Sequence, residues 1–65
     1  SGAQNTLGRC FFYGIGVEKN PKKAFHFFKL AADQGNEYGQ NNVGWCFENG
    51  IGVEKNVEKA FQFYN

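Results

Sequence analysis

Residues that could do chemistry are few in this chain, and they do not converge. The aliphatic hydroxyls are limited to Ser1 and Thr6, so there is almost no candidate for a hydroxyl nucleophile. The single histidine, His26, falls in a row with Lys22 and Lys29 at helical spacing. This row is predicted to be the solvated side of a helix, and a histidine without an orienting partner is not a catalytic base.

The two cysteines, Cys10 and Cys46, are 36 positions apart and occupy equivalent places in a repeat. Equivalent neighbouring helices lie roughly 8–10 Å apart, whereas a disulfide requires Cα atoms within about 7 Å. The pair is therefore predicted to remain two small, buried, apolar thiols in a reducing compartment. One histidine and two scattered cysteines do not make a zinc site, so neither a metal nor another cofactor is expected.

The segment Gly14-Ile15-Gly16 begins like a phosphate-binding loop, but it lacks the third glycine, the following Lys-Ser and a preceding strand. It is interpreted as a turn. The carboxylates show no converging pair, so general acid–base catalysis has no candidate. The chain is predicted not to be an enzyme, with no catalytic residues.

The charge and the apolar content of the sequence argue against nucleic acid and against a membrane as partners. The chain has 65 residues, of which seven are Lys or Arg and six are Asp or Glu, for a net charge of +1. This weak charge argues against nucleic acid as a main partner. No apolar run approaches the roughly 20 residues that span a bilayer, so membrane insertion is not expected. Unpaired cysteines and the lack of a leader pattern favour a cytoplasmic protein.

A repeat of 36 residues organises the chain. Gly14–Asn20 is identical at every place to Gly50–Asn56, and 16 of 29 comparable positions are identical overall. Repeat 1 is predicted over residues 1–36, with helices over about 3–13 and 21–34. Repeat 2, which is truncated, is predicted over 37–65, with helices over about 38–49 and 57–65. Stacked helix pairs give an all-α solenoid of about 1.8 repeats.

Apolar residues at helical spacing identify the buried stripes. The stripe of the first helix is predicted to centre near Leu7 and Gly14. Asn20 and Asn56 are expected N-caps, and Pro21 suits the first helical position. The stripes are predicted to include Ala3, Cys10, Phe11, Ala24, Phe27, Phe28 and Ala31 in repeat 1, and Val43, Cys46, Phe47, Ala60, Phe63 and Tyr64 in repeat 2.

Glycines inside two helices predict close helix packing. Gly8 and its counterpart Gly44 each cost roughly 0.5–1 kcal/mol relative to alanine, which indicates that a neighbouring helix needs the space. The last helix is shorter than its counterpart, and no following repeat would cover Phe61, Phe63 and Tyr64. The truncated C-terminal end is therefore a candidate surface for self-association.

The chain carries the motif Leu7-Gly8, Phe11, Gly14-x-Gly16-Val17, Lys23-Ala24, Phe27-Phe28 and Ala31-Ala32-x-Gln34-Gly35. This motif resembles the Sel1-like repeat, a relative of the tetratricopeptide repeat with a longer loop between its helices. The chain departs from the family at Asn20 and Asn56, where Asp is common, and at Phe27 and Phe63, where Trp is common. The resemblance implies a right-handed superhelix of helix pairs and a non-catalytic adaptor, since relatives scaffold signalling and membrane-associated degradation complexes.

A binding surface is predicted on the concave face, opposite the buried stripe of the first helices. Its residues mostly differ between the repeats, as expected when a ligand makes different demands along its length. The candidate residues for protein or peptide binding are Asn5, Arg9, Phe12, Tyr13, Asn41, Trp45, Glu48 and Asn49. Trp and Arg are frequent interface hot spots, and a carboxamide both donates and accepts hydrogen bonds. The alternative explanation is that Phe12 and Trp45 pack against neighbouring helices in a longer array.

Three functions compete. The leading prediction is a protein-interaction scaffold or adaptor that binds a protein or peptide segment. The second is a regulatory segment acting within its own chain, for instance beside a kinase domain. The third is an RNA-binding helical-repeat array, against which the near-neutral charge weighs.

Overall fold

The computed structural model describes residues 2–64, which form four helices without a strand among them. These are α1 (Gly2–Tyr13), α2 (Pro21–Asp33), α3 (Glu37–Asn49) and α4 (Val57–Tyr64). Each helix packs on the next, so that α2 bridges to α3 between the two helix pairs. The predicted all-α solenoid fold is confirmed.

Asparagine side chains start the last three helices. Asn20 Oδ1 accepts a hydrogen bond from the Lys23 amide at 3.2 Å, and Asn56 Oδ1 accepts one from the Lys59 amide at 3.0 Å. Both predicted N-caps are therefore confirmed. Asn36 caps α3 in the same way, accepting from an amide at 2.9 Å. Asn36 is the last residue of repeat 1, and this third cap was not predicted.

The repeated loop is tied back onto the helix before it. The Asn20 amide donates to the Phe11 carbonyl, and the Asn56 amide donates to the Phe47 carbonyl, both at 2.8 Å. Gly52 lies in this loop with a φ of +72°. A Cβ there would collide with the carbonyl oxygen of Pro21, at the start of α2. Glycine is thus required at this place by both conformation and proximity.

Close contact between helices confirms the prediction for the two helical glycines. A Cβ at Gly8 would lie 2.6 Å from the ring of Phe28, and a Cβ at Gly44 would lie 2.9 Å from the ring of Tyr64. Helices α1 and α2, and likewise α3 and α4, therefore approach so closely that a Cβ at either glycine would require the facing ring to move.

The two helix pairs meet through small residues. A Cβ at Gly39 of α3 would lie 2.7 Å from the Ala32 nitrogen and 2.8 Å from the Ala31 Cβ of α2. Around this approach is a buried cluster formed by residues from both pairs: Ala24, Phe28, Ala32, Val43 and Cys46. The core of the molecule therefore lies between the repeats rather than within either one.

The predicted stripe of the first helix is partly wrong. Leu7 is 44% exposed, whereas its counterpart Val43 is fully buried. Val43 is covered by α2, and Leu7 has no corresponding helix among residues 2–64. Gly14 is exposed, and Cys10 is half-buried where Cys46 is fully buried. The helical spacing of the stripe residues is as predicted, but their burial also depends on a helix of a preceding repeat that packs over them.

The predicted stripe of the last helix is also partly wrong. Tyr64 remains 39% exposed, although its counterpart Phe28 is only 3% exposed. Phe27 and Phe63 are half-buried, because each stacks on a ring of the first helix of its pair at 5.6–5.8 Å. The following helix covers Phe28, and no helix covers Tyr64 in the same way within the described residues.

Candidate peptide-binding groove

A groove of about 410 Å³ crosses from the first repeat to the second. It is termed here the α1–α3 groove, because those two helices supply most of its wall. The lining residues are Arg9, Phe12, Tyr13, Phe28, Asn41, Asn42, Trp45 and Tyr64. Five of the eight residues predicted for binding therefore lie together, which are Arg9, Phe12, Tyr13, Asn41 and Trp45.

A row of aromatic rings forms one wall of the groove. The rings of Tyr13 and Phe12 meet edge to face with centroids 4.8 Å apart, and those of Phe12 and Trp45 do so at 5.0 Å. Edge-to-face pairs of this kind are favourable beyond their buried area. Trp45 nevertheless remains 39% exposed. The rings thus pack on one another across the repeats and still present open surface to the groove.

The polar side of the groove has one charged group among its described lining, the guanidinium of Arg9. Asn41 is exposed beside it on α3. Asn5 lies outside the lining, and its Oδ1 accepts a 2.8 Å hydrogen bond from Nδ2 of the lining residue Asn42. This bond joins α1 to α3.

Glu48 lies at the edge of the groove and binds a residue of the protein itself. Its Oε1 accepts a hydrogen bond from the Tyr64 hydroxyl at 2.6 Å. Burial, the hydrogen bond and the negative charge of Glu48 raise the pKa of the Tyr64 phenol to about 12. In repeat 1 the same two places are Phe12 and Phe28, so both members of the pair change together.

Asn49 is also outside the groove lining. Its Nδ2 donates to the Trp45 carbonyl at 3.1 Å, so the side chain folds back on its own helix. Sequence reasoning missed three lining residues, Asn42, Phe28 and Tyr64. Tyr64 could have been found from the sequence, because Phe12 is replaced by Glu48 and Phe28 by Tyr64 in the second repeat, which suggests a hydrogen-bonded pair.

The remaining reactive groups are scattered. Among residues 2–64, no group of three His, Cys, Asp or Glu side chains is placed to hold a metal ion. Both cysteines are free thiols, and burial raises the pKa of the Cys46 thiol to about 11. A thiol with this pKa stays protonated at neutral pH, and it is therefore a poor nucleophile.

Comparison with known proteins agrees with the helical-repeat fold. The family model described as Sel1 repeat matches residues 1–36 and again residues 37–65. The chain belongs to the Sel1 repeat family. Sel1 repeats generally mediate protein–protein interaction, and they are a non-enzymatic scaffold type of repeat.

A solved Sel1 repeat protein from Oxalobacter formigenes is similar in structure. Its TM-score to this Sel1 repeat pair is 0.95 at 40% sequence identity, over 97% of the present chain. The match spans only 26% of the length of that relative. No curated protein sequence matches the chain. Within residues 2–64, none of the four Sel1 helices is long and apolar enough to cross a bilayer.

Proposed function

We propose that this Sel1 repeat pair is a non-catalytic adaptor module that holds a short peptide segment of a partner protein in the α1–α3 groove. The observation that carries the proposal is the aromatic row of Tyr13, Phe12 and Trp45. It runs from one repeat to the next and keeps open surface although its rings are already in contact.

The groove offers complementary chemistry to a peptide. The exposed ring surface of Trp45 suits an apolar or aromatic side chain, because burial of such surface contributes about 25 cal/mol per Å². The Arg9 guanidinium suits a carboxylate, and the Asn41 carboxamide suits a backbone amide. A preferred segment therefore combines an apolar anchor with an acidic group.

Differences between the repeats support a ligand that lies along both. Arg9 is replaced by Trp45 at the equivalent place, and Phe12 is replaced by Glu48. Equivalent loop and core places are mostly retained, for example the identical segments 14–20 and 50–56. A stacking role would impose the same residue in each repeat, whereas a bound chain contacts each repeat with different side chains.

The proposal is tested by selecting peptides from a phage-displayed random dodecapeptide library on the immobilised 65-residue chain. Selected peptides are then titrated into the protein while the fluorescence of Trp45 and the amide NMR spectrum are recorded. We expect shifted amide signals at Arg9, Phe12 and Asn41. Trp45→Ala is expected to weaken binding roughly tenfold or more, as for a central aromatic hot spot.

A matched control is Tyr38→Ala, which removes another exposed aromatic residue that is not part of the groove lining. This variant should bind the selected peptides as the wild type does. If the shifted signals lie instead on the outer sides of α2 and α4, or if Trp45→Ala binds normally, the groove is not the binding site.

A further inference from the structure

The last turn of α3 and its cap carry the pair Asn49-Gly50, the one place in the sequence where glycine follows asparagine. We infer that Asn49 is a site of covalent modification, at which the backbone nitrogen of Gly50 displaces ammonia from the side-chain carboxamide and water then opens the resulting ring. The product is an aspartate or an isoaspartate at the C-terminal end of α3. Water is the only other reactant.

The reaction is confined to two neighbouring residues. The Gly50 nitrogen gives up its proton to solvent and forms a bond to Cγ of Asn49. The Cγ–Nδ2 bond then breaks, and Nδ2 takes up a proton and leaves as ammonia. Water adds to one of the two carbonyl carbons of the succinimide. Opening at Cγ gives aspartate in the original backbone, whereas opening at the backbone carbon gives isoaspartate, with Gly50 linked through the side chain.

The residue that follows each asparagine decides how readily that asparagine reacts. Gly50 has no Cβ and has a φ of +69°, so no side chain crowds its nitrogen. Asn42 precedes a valine, whose branched side chain crowds the amide that would attack. Asn20 precedes a proline, which has no amide N–H. Asn49 is therefore the asparagine with the least hindered neighbour.

The Asn49 side chain is open to water. It is exposed, and its Nδ2 donates to the Trp45 carbonyl at 3.1 Å on the surface of α3. Tyr13, the counterpart of Asn49 in repeat 1, is 62% exposed although the second repeat lies beside it and contacts the adjacent Phe12 ring. A neighbouring repeat therefore leaves this place uncovered.

The helix slows the reaction because it holds the attacking nitrogen. The Gly50 N–H donates to the Cys46 carbonyl in the last turn of α3. The Ile51 N–H donates to the same carbonyl at 2.9 Å, so that carbonyl keeps a partner when the Gly50 bond opens. Local opening of the last turn is thus sufficient, while the core between the repeats stays closed.

Either product weakens the end of α3. A carboxylate cannot donate, so the hydrogen bond to the Trp45 carbonyl is lost, and a negative charge at the C-terminal end of a helix is unfavourable. Isoaspartate also adds a carbon to the backbone where the repeated loop begins. That loop is tied to α3 by the 2.8 Å bond from the Asn56 amide to the Phe47 carbonyl. The modification therefore loosens the connection between α3 and its loop.

Peptide mapping by mass spectrometry tests the inference on the folded 65-residue chain after incubation in mildly alkaline buffer. We expect the mass gain of one deamidation, located on Asn49, with both aspartate and isoaspartate fragments. A sample unfolded in urea should react at Asn49 roughly tenfold or more faster, because its Gly50 N–H is free. Asn49→Gln is a matched variant that keeps the carboxamide but would need a larger ring, so it should retain its mass.

Two results of this mapping would overturn the inference. One is deamidation of Asn42 or Asn56 ahead of Asn49. The other is an intact Asn49 in the folded chain over a period several times longer than full reaction in urea requires.

Asn49→Asp carries one product from the start and tests the structural consequence. Its amide NMR spectrum should differ from that of the wild type at Trp45 and along the loop 50–56, whereas the equivalent loop 14–20 should be unchanged. Unshifted signals at Trp45 and in the loop 50–56 would show that the modification leaves α3 intact, and would overturn this part of the inference.

Discussion

Replacement of each helical glycine by alanine gives an internally matched test of the packing between helices. Gly8 and Gly44 are equivalent places, and a Cβ at either would lie 3.1 Å from a backbone carbonyl oxygen of the paired helix. They differ in the aromatic ring that they face. The ring beside Gly8 belongs to Phe28, which is enclosed, whereas the ring beside Gly44 belongs to Tyr64, which is partly exposed and can rotate outward.

Two opposing contributions determine the change in the free energy of unfolding for each replacement. Alanine gains about 0.5–1 kcal/mol over glycine within a helix, because glycine loses more backbone entropy on folding. Overpacking a close-packed contact costs about 1–3 kcal/mol. At Gly8 the new methyl group would lie 2.6 Å from the enclosed Phe28 ring, so the cost dominates and Gly8→Ala should destabilise by about 1–2 kcal/mol. At Gly44 the facing Tyr64 ring is 39% exposed, so a small rotation toward solvent would relieve the contact, and the net change should stay within about 1 kcal/mol.

Thermal unfolding followed by far-ultraviolet circular dichroism measures the difference. A change of 1 kcal/mol shifts the melting temperature of a domain this size by about 4–8 °C, so a loss of about 1–2 kcal/mol should make Gly8→Ala melt roughly 4–16 °C below the wild type. Gly44→Leu, whose side chain is too large for the ring movement to accommodate, should lower the melting temperature strongly. An unchanged or raised melting temperature for Gly8→Ala, or equal shifts for both alanine variants, would refute the packing argument.

Three further predictions concern polar and titratable groups. Because the folded-state pKa of Tyr64 is raised to about 12 from 10, its contribution to stability is complete below pH 10 and is lost as the pH rises toward 12; Tyr64→Phe should flatten this part of a urea-stability profile and cost less than about 1 kcal/mol at neutral pH. Half-buried Cys10 should react with Ellman's reagent in the folded protein, whereas buried Cys46, with its raised pKa, should react only on unfolding, as single serine variants of each would show. Asn5→Ala removes the acceptor for Asn42 and should destabilise by about 1 kcal/mol in chemical unfolding.

Each of these predictions has a contrary result. A stability profile that retains its alkaline slope in Tyr64→Phe would assign the slope to another group. Simultaneous labelling of both thiols would mean that the core between the repeats opens readily. Unchanged stability in Asn5→Ala would mean that the bond between the first and third helices contributes little in water.

Much of the fold follows from the sequence, since the repeat, the helix period and the caps are local signals. Asn20 and Asn56 cap helices as predicted. Gly8 and Gly44, which lower helix stability relative to alanine, lie in the close helix contacts that were predicted for them. Burial at the two ends was not predictable from the period. Leu7 and Tyr64 have the right spacing for a core stripe, but burial depends on a helix contributed by a neighbouring repeat.

The sequence placed several groove-lining residues on one face, but it did not predict the hydrogen bonds among the polar residues. A helical wheel places Arg9, Phe12 and Trp45 on one face, and these residues do line the groove. A wheel does not show which polar groups bind one another. Asn5 is bonded to Asn42, and Glu48 is bonded to Tyr64, through contacts between helices that depend on their crossing geometry.

The near absence of a side chain at Gly39 makes this position a control point for curvature. With only hydrogen on its Cα, α3 rests almost directly on the backbone of α2. Any bulkier residue would act as a wedge, tilting one helix pair away from the other and widening the gap between Arg9 and Trp45. Were further repeats stacked by the same joint, the tilt would be compounded at every step, so this one place would tune the pitch of the whole superhelix.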